Sequence, residues 1–127
     1  MNTAVVSLGS NIDPEKNIAK VRQILSREQK ILAESNFIVT KPVGLKDQPD
    51  FTNGAFLVST RLNRQEFQMY LKSVETTLGR KHTGHRYDPR TIDLDIIVWN
   101  GAVVSRDFSE RSFIKDSALQ LLPNLTY

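Results

Sequence analysis

The chain has 127 residues, 39% of them hydrophobic and 24% charged, which suits a single soluble domain spanning 1–127 with its own core. It has no cysteine, so disulfides, thiolate metal sites and thiol nucleophiles are excluded together. Met1 to Leu8 has no basic leader, and nowhere is there an apolar run of the roughly 18 residues a membrane span needs, so a cytoplasmic, membrane-free protein is expected.

In chain order, Ala4 to Leu8 is a short apolar run closed by Gly9-Ser10-Asn11 and reads as a buried strand. Asp13-Pro14 predicts a helix start, with the Asp side chain accepting orphan backbone N–H groups and Pro preset for the first turn. Ile18, Val21, Ile24 and Leu25 then form one helical face. Ile31 to Thr40 is β-rich, and a loop punctuated by Pro42, Gly44 and Pro49 separates it from a second β-rich run, Phe51 to Thr60, with which it should pair antiparallel. Asn63 and Glu66 have capping-box spacing, and Phe67, Tyr70, Leu71, Val74 and Leu78 give a second helix its stripe before Gly79. A strand from Thr91 to Trp99 follows, then Asn100-Gly101 as a hairpin turn into Ala102-Val103-Val104, and a short helix from Ile114 to Leu122. The order β-α-β-β-α-β predicts an α+β, ferredoxin-like fold with an added hairpin and terminal helix.

The formal net charge of +3 is unevenly spread. Residues 80–90 hold Arg80, Lys81, Arg86 and Arg90 against Asp88 alone, which favours one focused anion pocket over a diffuse polyanion-binding surface. Just beyond this basic stretch, Asp93 and Asp95 lie one residue apart on the apolar strand of Ile92, Leu94, Ile96, Ile97 and Val98. With a strand period of two, both carboxylates leave the same face, roughly 6–7 Å apart at Cα. Such a pair needs a cation between its members, and hard oxygen ligands suit Mg²⁺ with its waters and substrate phosphates. Arg90 is placed to grip a phosphate oxygen bidentately. A solvent-facing Asp pair bridged to nearby arginines is the plainer alternative, against which stand the apolar strand and the adjoining cationic loop. No Walker-type glycine loop is present, and His82 and His85 both fall in the basic stretch, where a solvated role suits them better than a triad or metal site.

Pro89-Arg90-Thr91-Ile92-Asp93-Leu94-Asp95 closely resembles the signature of the 6-hydroxymethyl-7,8-dihydropterin pyrophosphokinases of folate synthesis. Three further blocks match in order: Ser7-Leu8-Gly9-Ser10-Asn11, Asp47-Gln48-Pro49-Asp50-Phe51-Thr52-Asn53 and Leu78-Gly79-Arg80. The resemblance implies transfer of the terminal pyrophosphate of ATP to the hydroxymethyl group of the pterin, releasing AMP. It implies two Mg²⁺ ions on Asp93 and Asp95, and a catalytic set of Arg80, Arg90, Asp93 and Asp95. Glu75, Arg80, Arg86, Arg90, Ile96 and Arg111 fall on the ATP side. On the pterin side fall Thr40, Pro42, Val43, Phe51 (often Tyr in the family), Asn53, Tyr87 (commonly Trp), Asp93 and Phe113. ATP and the hydroxymethyl dihydropterin are then the expected partners, without nucleic acid, for a monomeric enzyme.

Against that pattern, a Pro-His segment that contacts the ATP phosphates in the family is expected to be deleted between Val104 and Phe113, and the family's extension beyond Tyr127 is expected to be absent. Arg111-x-Phe113 survives. Arg111 is expected to replace the histidine in part, with Arg106 the other candidate. Two other classes stay open: a paralogue that binds pterin or nucleotide with slow or no turnover, and an RNA-binding module using the basic loop. The second is disfavoured by the concentrated charge and the lack of exposed aromatic runs on the strands.

Overall fold

The computed structural model describes residues 1–42, 48–79 and 91–127. The elements run β1 (Asn2–Ser10), α1 (Pro14–Glu28), β2 (Lys30–Glu34), β3 (Ile38–Thr40), β4 (Phe51–Thr60), α2 (Arg64–Thr77), β5 (Asp93–Trp99), β6 (Ala102–Val103), α3 (Asp107–Glu110) and α4 (Ser112–Leu121). Six strands form one sheet in the order β2-β4-β1-β5-β6, with β3 also paired to β4. Every pairing is antiparallel. No helix among the described residues is long and apolar enough to cross a membrane.

Alternation along the strands divides the core in two. Ala4, Val6 and Leu8 of β1 meet Phe56, Val58, Leu94 and Ile96 under α1 and α2, which insert Val21, Leu25, Phe67 and Leu71. Val5, Ala55, Ile97 and Val98 turn to the other face, where Phe108 and Ala118 of α3 and α4 cover them. The β1–β5 register shifts between Val5 and Val6, leaving Ile97 as the extra residue of a bulge on β5.

Local signals account for most boundaries. Asn63 and Glu66 form the expected capping box, each side chain bonded to the other's backbone N–H. Gly79 ends the region after α2 at φ 88°, and Asn100 and Gly101 take the positive φ values of a tight hairpin turn. Asp13 departs from expectation. It sits at φ 41° and makes no side-chain cap, so α1 starts without carboxylate help. The Asn17 side chain instead donates to Ile12 O at 2.6 Å and holds the entry turn.

The single run expected over Ile31 to Thr40 is two strands. Ser35 interrupts it: its N–H donates to Ala55 O and its hydroxyl accepts from Ala55 N, so it consumes the pairing that would have continued the ladder. Phe37 then folds its ring over Gly54, where any Cβ would come within 2.5 Å of that ring. A four-residue helix, α3, precedes α4 where only the second was expected, and α4 begins two residues earlier, at Ser112.

Candidate active site

At one end of the sheet the face that carries α4 turns polar. Asp93 of β5 lies opposite Gly9 of β1, which lies opposite Asn53 of β4; in the next row Asp95, Ser7 and Ala55 stand side by side. The two aspartates therefore share a face, while Leu94 between them is buried on the other side. Ser10 anchors this end, its hydroxyl lying 2.6 Å from Thr91 O and 3.0 Å from Ile12 O. Asn11, 2% exposed, ties the end of β1 to the residues just before β4 through Gln48 and Pro49 O.

Above these rows lies a cleft of about 390 Å³ that wraps round the open edge of β5. One half holds Thr40, Phe51, Asn53 and Phe113; the other holds Asp93, Asp95, Asp107, Arg111, Lys72 and Glu75. Asn53 is aligned by donating its Nδ2 to Thr40 Oγ1 at 2.6 Å, and the missing side chain of Gly9 leaves room for Asn53 Oδ1, which would sit 2.9 Å from a Cβ there.

Burial raises the Asp95 carboxyl above the usual carboxylate range, and the charges of Asp93 and Asp107 push the same way. The Ser105 hydroxyl, 3.3 Å away, and the Ile96 amide offset part of this. A half-buried carboxylate beside two others is the environment a cation relieves. Among the described residues no group of three His, Cys, Asp or Glu surrounds one point. Asp93 and Asp95 together are an oxygen-donor pair that fits Mg²⁺ carrying waters and phosphate oxygens.

Of the residues singled out in the sequence, the cleft brings together Thr40, Phe51, Asn53, Glu75, Asp93, Asp95, Arg111 and Phe113. Pro42 and Ile96 do not line it. Ile96 is 4% exposed and packs under the helices, so a nucleotide would meet only its backbone. Val43, Arg80, Arg86, Tyr87 and Arg90, with His82 and His85, lie outside the described residues.

Three contributions escaped sequence reasoning. Gln68 and Lys72 line the cleft with Glu75, a spacing of four and three residues on one helical face that was open to inspection. Ser105 reaches Asp95 across the hairpin, and Asp107 pairs with Arg111 at 3.6 Å. The segment after β6 thus turns Ser105, Asp107 and Arg111 toward the carboxylate pair, whereas Arg106 is exposed and lies outside the cleft.

Comparison with known proteins adds the family. Residues 5–123 match the model of the 7,8-dihydro-6-hydroxymethylpterin-pyrophosphokinase family. The bifunctional protein FolKE of Lactococcus lactis subsp. cremoris is 34% identical over 135 residues, which cover 98% of this chain and 38% of the relative. The 2-amino-4-hydroxy-6-hydroxymethyldihydropteridine pyrophosphokinases of Campylobacter jejuni and Bacillus subtilis are 35% and 36% identical, over 79% and 78% of this chain. The chain spans 65% and 60% of those two proteins, less than two thirds of the length of each. With the match running through both rows of the cleft floor, the chain belongs to the 7,8-dihydro-6-hydroxymethylpterin-pyrophosphokinase family.

Proposed function

We propose that this chain transfers the terminal pyrophosphate of ATP to the hydroxymethyl group of 6-hydroxymethyl-7,8-dihydropterin, releasing AMP. The observation that carries the reading is one cleft with two unlike halves: an amide and aromatic half at Asn53, Phe51 and Phe113, and a carboxylate and cation half at Asp93, Asp95, Lys72 and Arg111. In the reaction the hydroxymethyl oxygen bonds to the β-phosphorus of ATP, the bond from that phosphorus to the α,β-bridging oxygen breaks, and the hydroxyl proton leaves to solvent.

Asp93 and Asp95 would hold the Mg²⁺ ions, two of them in this reading. What the cation supplies when bound is relief of the charge repulsion that the triphosphate presents to the incoming oxygen. Arg111 and Lys72 hold phosphate oxygens from the open side, joined by Arg80, Arg86 and Arg90 from the segment before β5. Phe51 and Phe113, with Tyr87, sandwich the pterin ring. Asn53 has given one N–H to Thr40, which leaves its second N–H and its Oδ1 for the pterin edge. Thr40 closes that end, and the family pattern adds Pro42 and Val43, of which Pro42 lies outside the cleft lining described above. All of this places reacting groups more than it supplies covalent chemistry, as phosphoryl transfer requires.

The strand order, with α1 and α2 on one face, supports a ferredoxin-like arrangement of a single domain. A monomer is favoured because the outer edge of the sheet is guarded: β2 is short, starts with Lys30 and carries a register shift between Ile31 and Ala33. A cytoplasmic protein acting on small molecules, without nucleic acid, completes the reading.

AMP release from ATP, measured with and without the hydroxymethyl pterin, tests it. Pterin-dependent AMP from the wild type and at least a ~100-fold lower rate in Asp95→Ala are expected. Equal AMP formation by the two proteins would remove the enzyme reading and leave a binding protein.

A further inference from the structure

Glu75 is a carboxylate where the stripe of α2 calls for an apolar side chain, and it is 2% exposed. Its Oε2 accepts the backbone N–H of Leu94 at 2.7 Å. Leu94 is the residue between Asp93 and Asp95. The sheet explains why that N–H needs a partner. On its inner side β5 pairs with β1, but on its outer side β6 reaches only Val98 and Trp99. Among the described residues no strand borders the outer edge of Asp93–Ile96. An antiparallel strand directs alternate amides to opposite edges. With the Leu94 amide aimed outward, those of Asp93 and Asp95 turn inward to Gly9 and Ser7, their partners on β1.

We infer that Glu75 is a positioning residue of the metal site: its carboxylate accepts the bond that a neighbouring strand would otherwise take, clamps the peptide between the two aspartates, and fixes the aim of both side chains. Beyond Ile96 the bulge at Ile97 and the pairing with β6 take over, so Glu75 serves the half of β5 that no second strand borders among the described residues. The inference rests on the metal role given above to Asp93 and Asp95, and it moves Glu75 from a nucleotide contact to a residue acting through the backbone.

The test uses Glu75→Gln, which keeps an acceptor oxygen, and Glu75→Leu, which removes it. Three readouts are taken on the whole chain: amide hydrogen exchange at Leu94 by NMR without metal, Mg²⁺-dependent binding of a non-hydrolysable ATP analogue by calorimetry, and thermal unfolding. Slow exchange at Leu94 in the wild type and near wild-type metal dependence in Glu75→Gln are expected. Glu75→Leu should lose the protection and need about 10–100-fold more Mg²⁺ to bind the analogue, as for other groups that orient metal ligands. Fast exchange at Leu94 in the wild type overturns the clamp even if Glu75→Leu fails to fold. A folded Glu75→Leu with unchanged Mg²⁺ dependence overturns it too, as does a Gln variant as impaired as the Leu variant, since charge and not an acceptor would then matter. Analogue binding needs no pterin, so loss of the proposed transfer activity in the wild type would be seen separately.

Discussion

The two faces of the sheet are built from the same strands yet differ in how far their apolar cover extends. Under α1 and α2 it runs the full length, from Ala4 and Val58 at one end to Leu8, Ile92 and Leu94 at the other. Beneath α3 and α4 it stops halfway, at Val5, Ala55 and Ile97, and the remaining positions are Ser7, Gly9, Asn53, Asp93 and Asp95. A strand that alternates sides can serve both faces at once: Leu94 and Ile96 hold β5 to the helices while Asp93 and Asp95 face the cleft. The first face supplies stability, and the second gives up half its core to a site.

Two substitutions in opposite faces should break that division most sharply. Phe67→Ala empties a fully buried position on the helix side and should cost about 3–5 kcal/mol in denaturant unfolding, with activity per folded molecule little changed. Asp95→Asn should do the reverse, lowering turnover by at least ~100-fold while leaving the metal-free protein as stable or more so at neutral pH. The sign follows from the raised carboxyl of Asp95, which burial chiefly causes. The metal-free folded state holds that proton more tightly than the unfolded chain. The resulting stability is complete below the unfolded carboxylate value and is lost as pH rises through the higher folded one. A thermal pH series in EDTA should show this decline in the wild type and a shallower one in Asp95→Asn. An Asp95→Asn protein less stable than wild type at neutral pH would mean the carboxylate carries structure as well as chemistry.

The face that stops halfway was legible in one place and hidden in others. Asp93 and Asp95 could be assigned to a common face because strand alternation is local, and Ile18, Val21 and Leu25 located α1 for the equivalent reason at helical period. The break at Ser35 was not visible, because the run from Ile31 to Thr40 stays β-rich throughout and the interruption depends on a hydroxyl meeting Ala55 across the sheet. Ser105 reaches Asp95 only because the hairpin folds back, a tertiary event with no periodic trace. Glu75 did leave a signal, a carboxylate within the stripe of Leu71, Val74 and Leu78, but its partner is an amide 19 residues away. The resemblance supplied substrates and roles that spacing could not.

Within the polar half, the segment after β6 should matter less than the aspartates. Arg111 pairs with Asp107 at 3.6 Å, too long for a firm hydrogen bond, so its guanidinium is only loosely engaged. Arg111→Ala should reduce kcat by about 10-fold with a smaller change in KM for ATP, the pattern of a contact strengthened in the transition state. Unchanged kinetics would show that Arg111 makes no phosphate contact that matters to turnover.

The smallest expected effect lies at Gly9, where the two halves of the cleft meet. Its neighbours across the sheet are Asp93 on one side and Asn53 on the other. A methyl group there would come within 2.9 Å of Asn53 Oδ1, and the amide cannot swing away freely because its nitrogen is bonded to Thr40 at 2.6 Å. Gly9 does not take a positive φ, so alanine introduces crowding without backbone strain. Stability should therefore fall by about 1 kcal/mol, the low end of the cost of overpacking, while the tilted amide raises KM for the pterin a few-fold and leaves that for ATP alone. Thr40→Val in the same background frees the amide to move, so it should recover part of the loss if crowding is the cause. No recovery would place the defect at Asp93 instead, and would tie the two halves of the cleft together through the glycine between them.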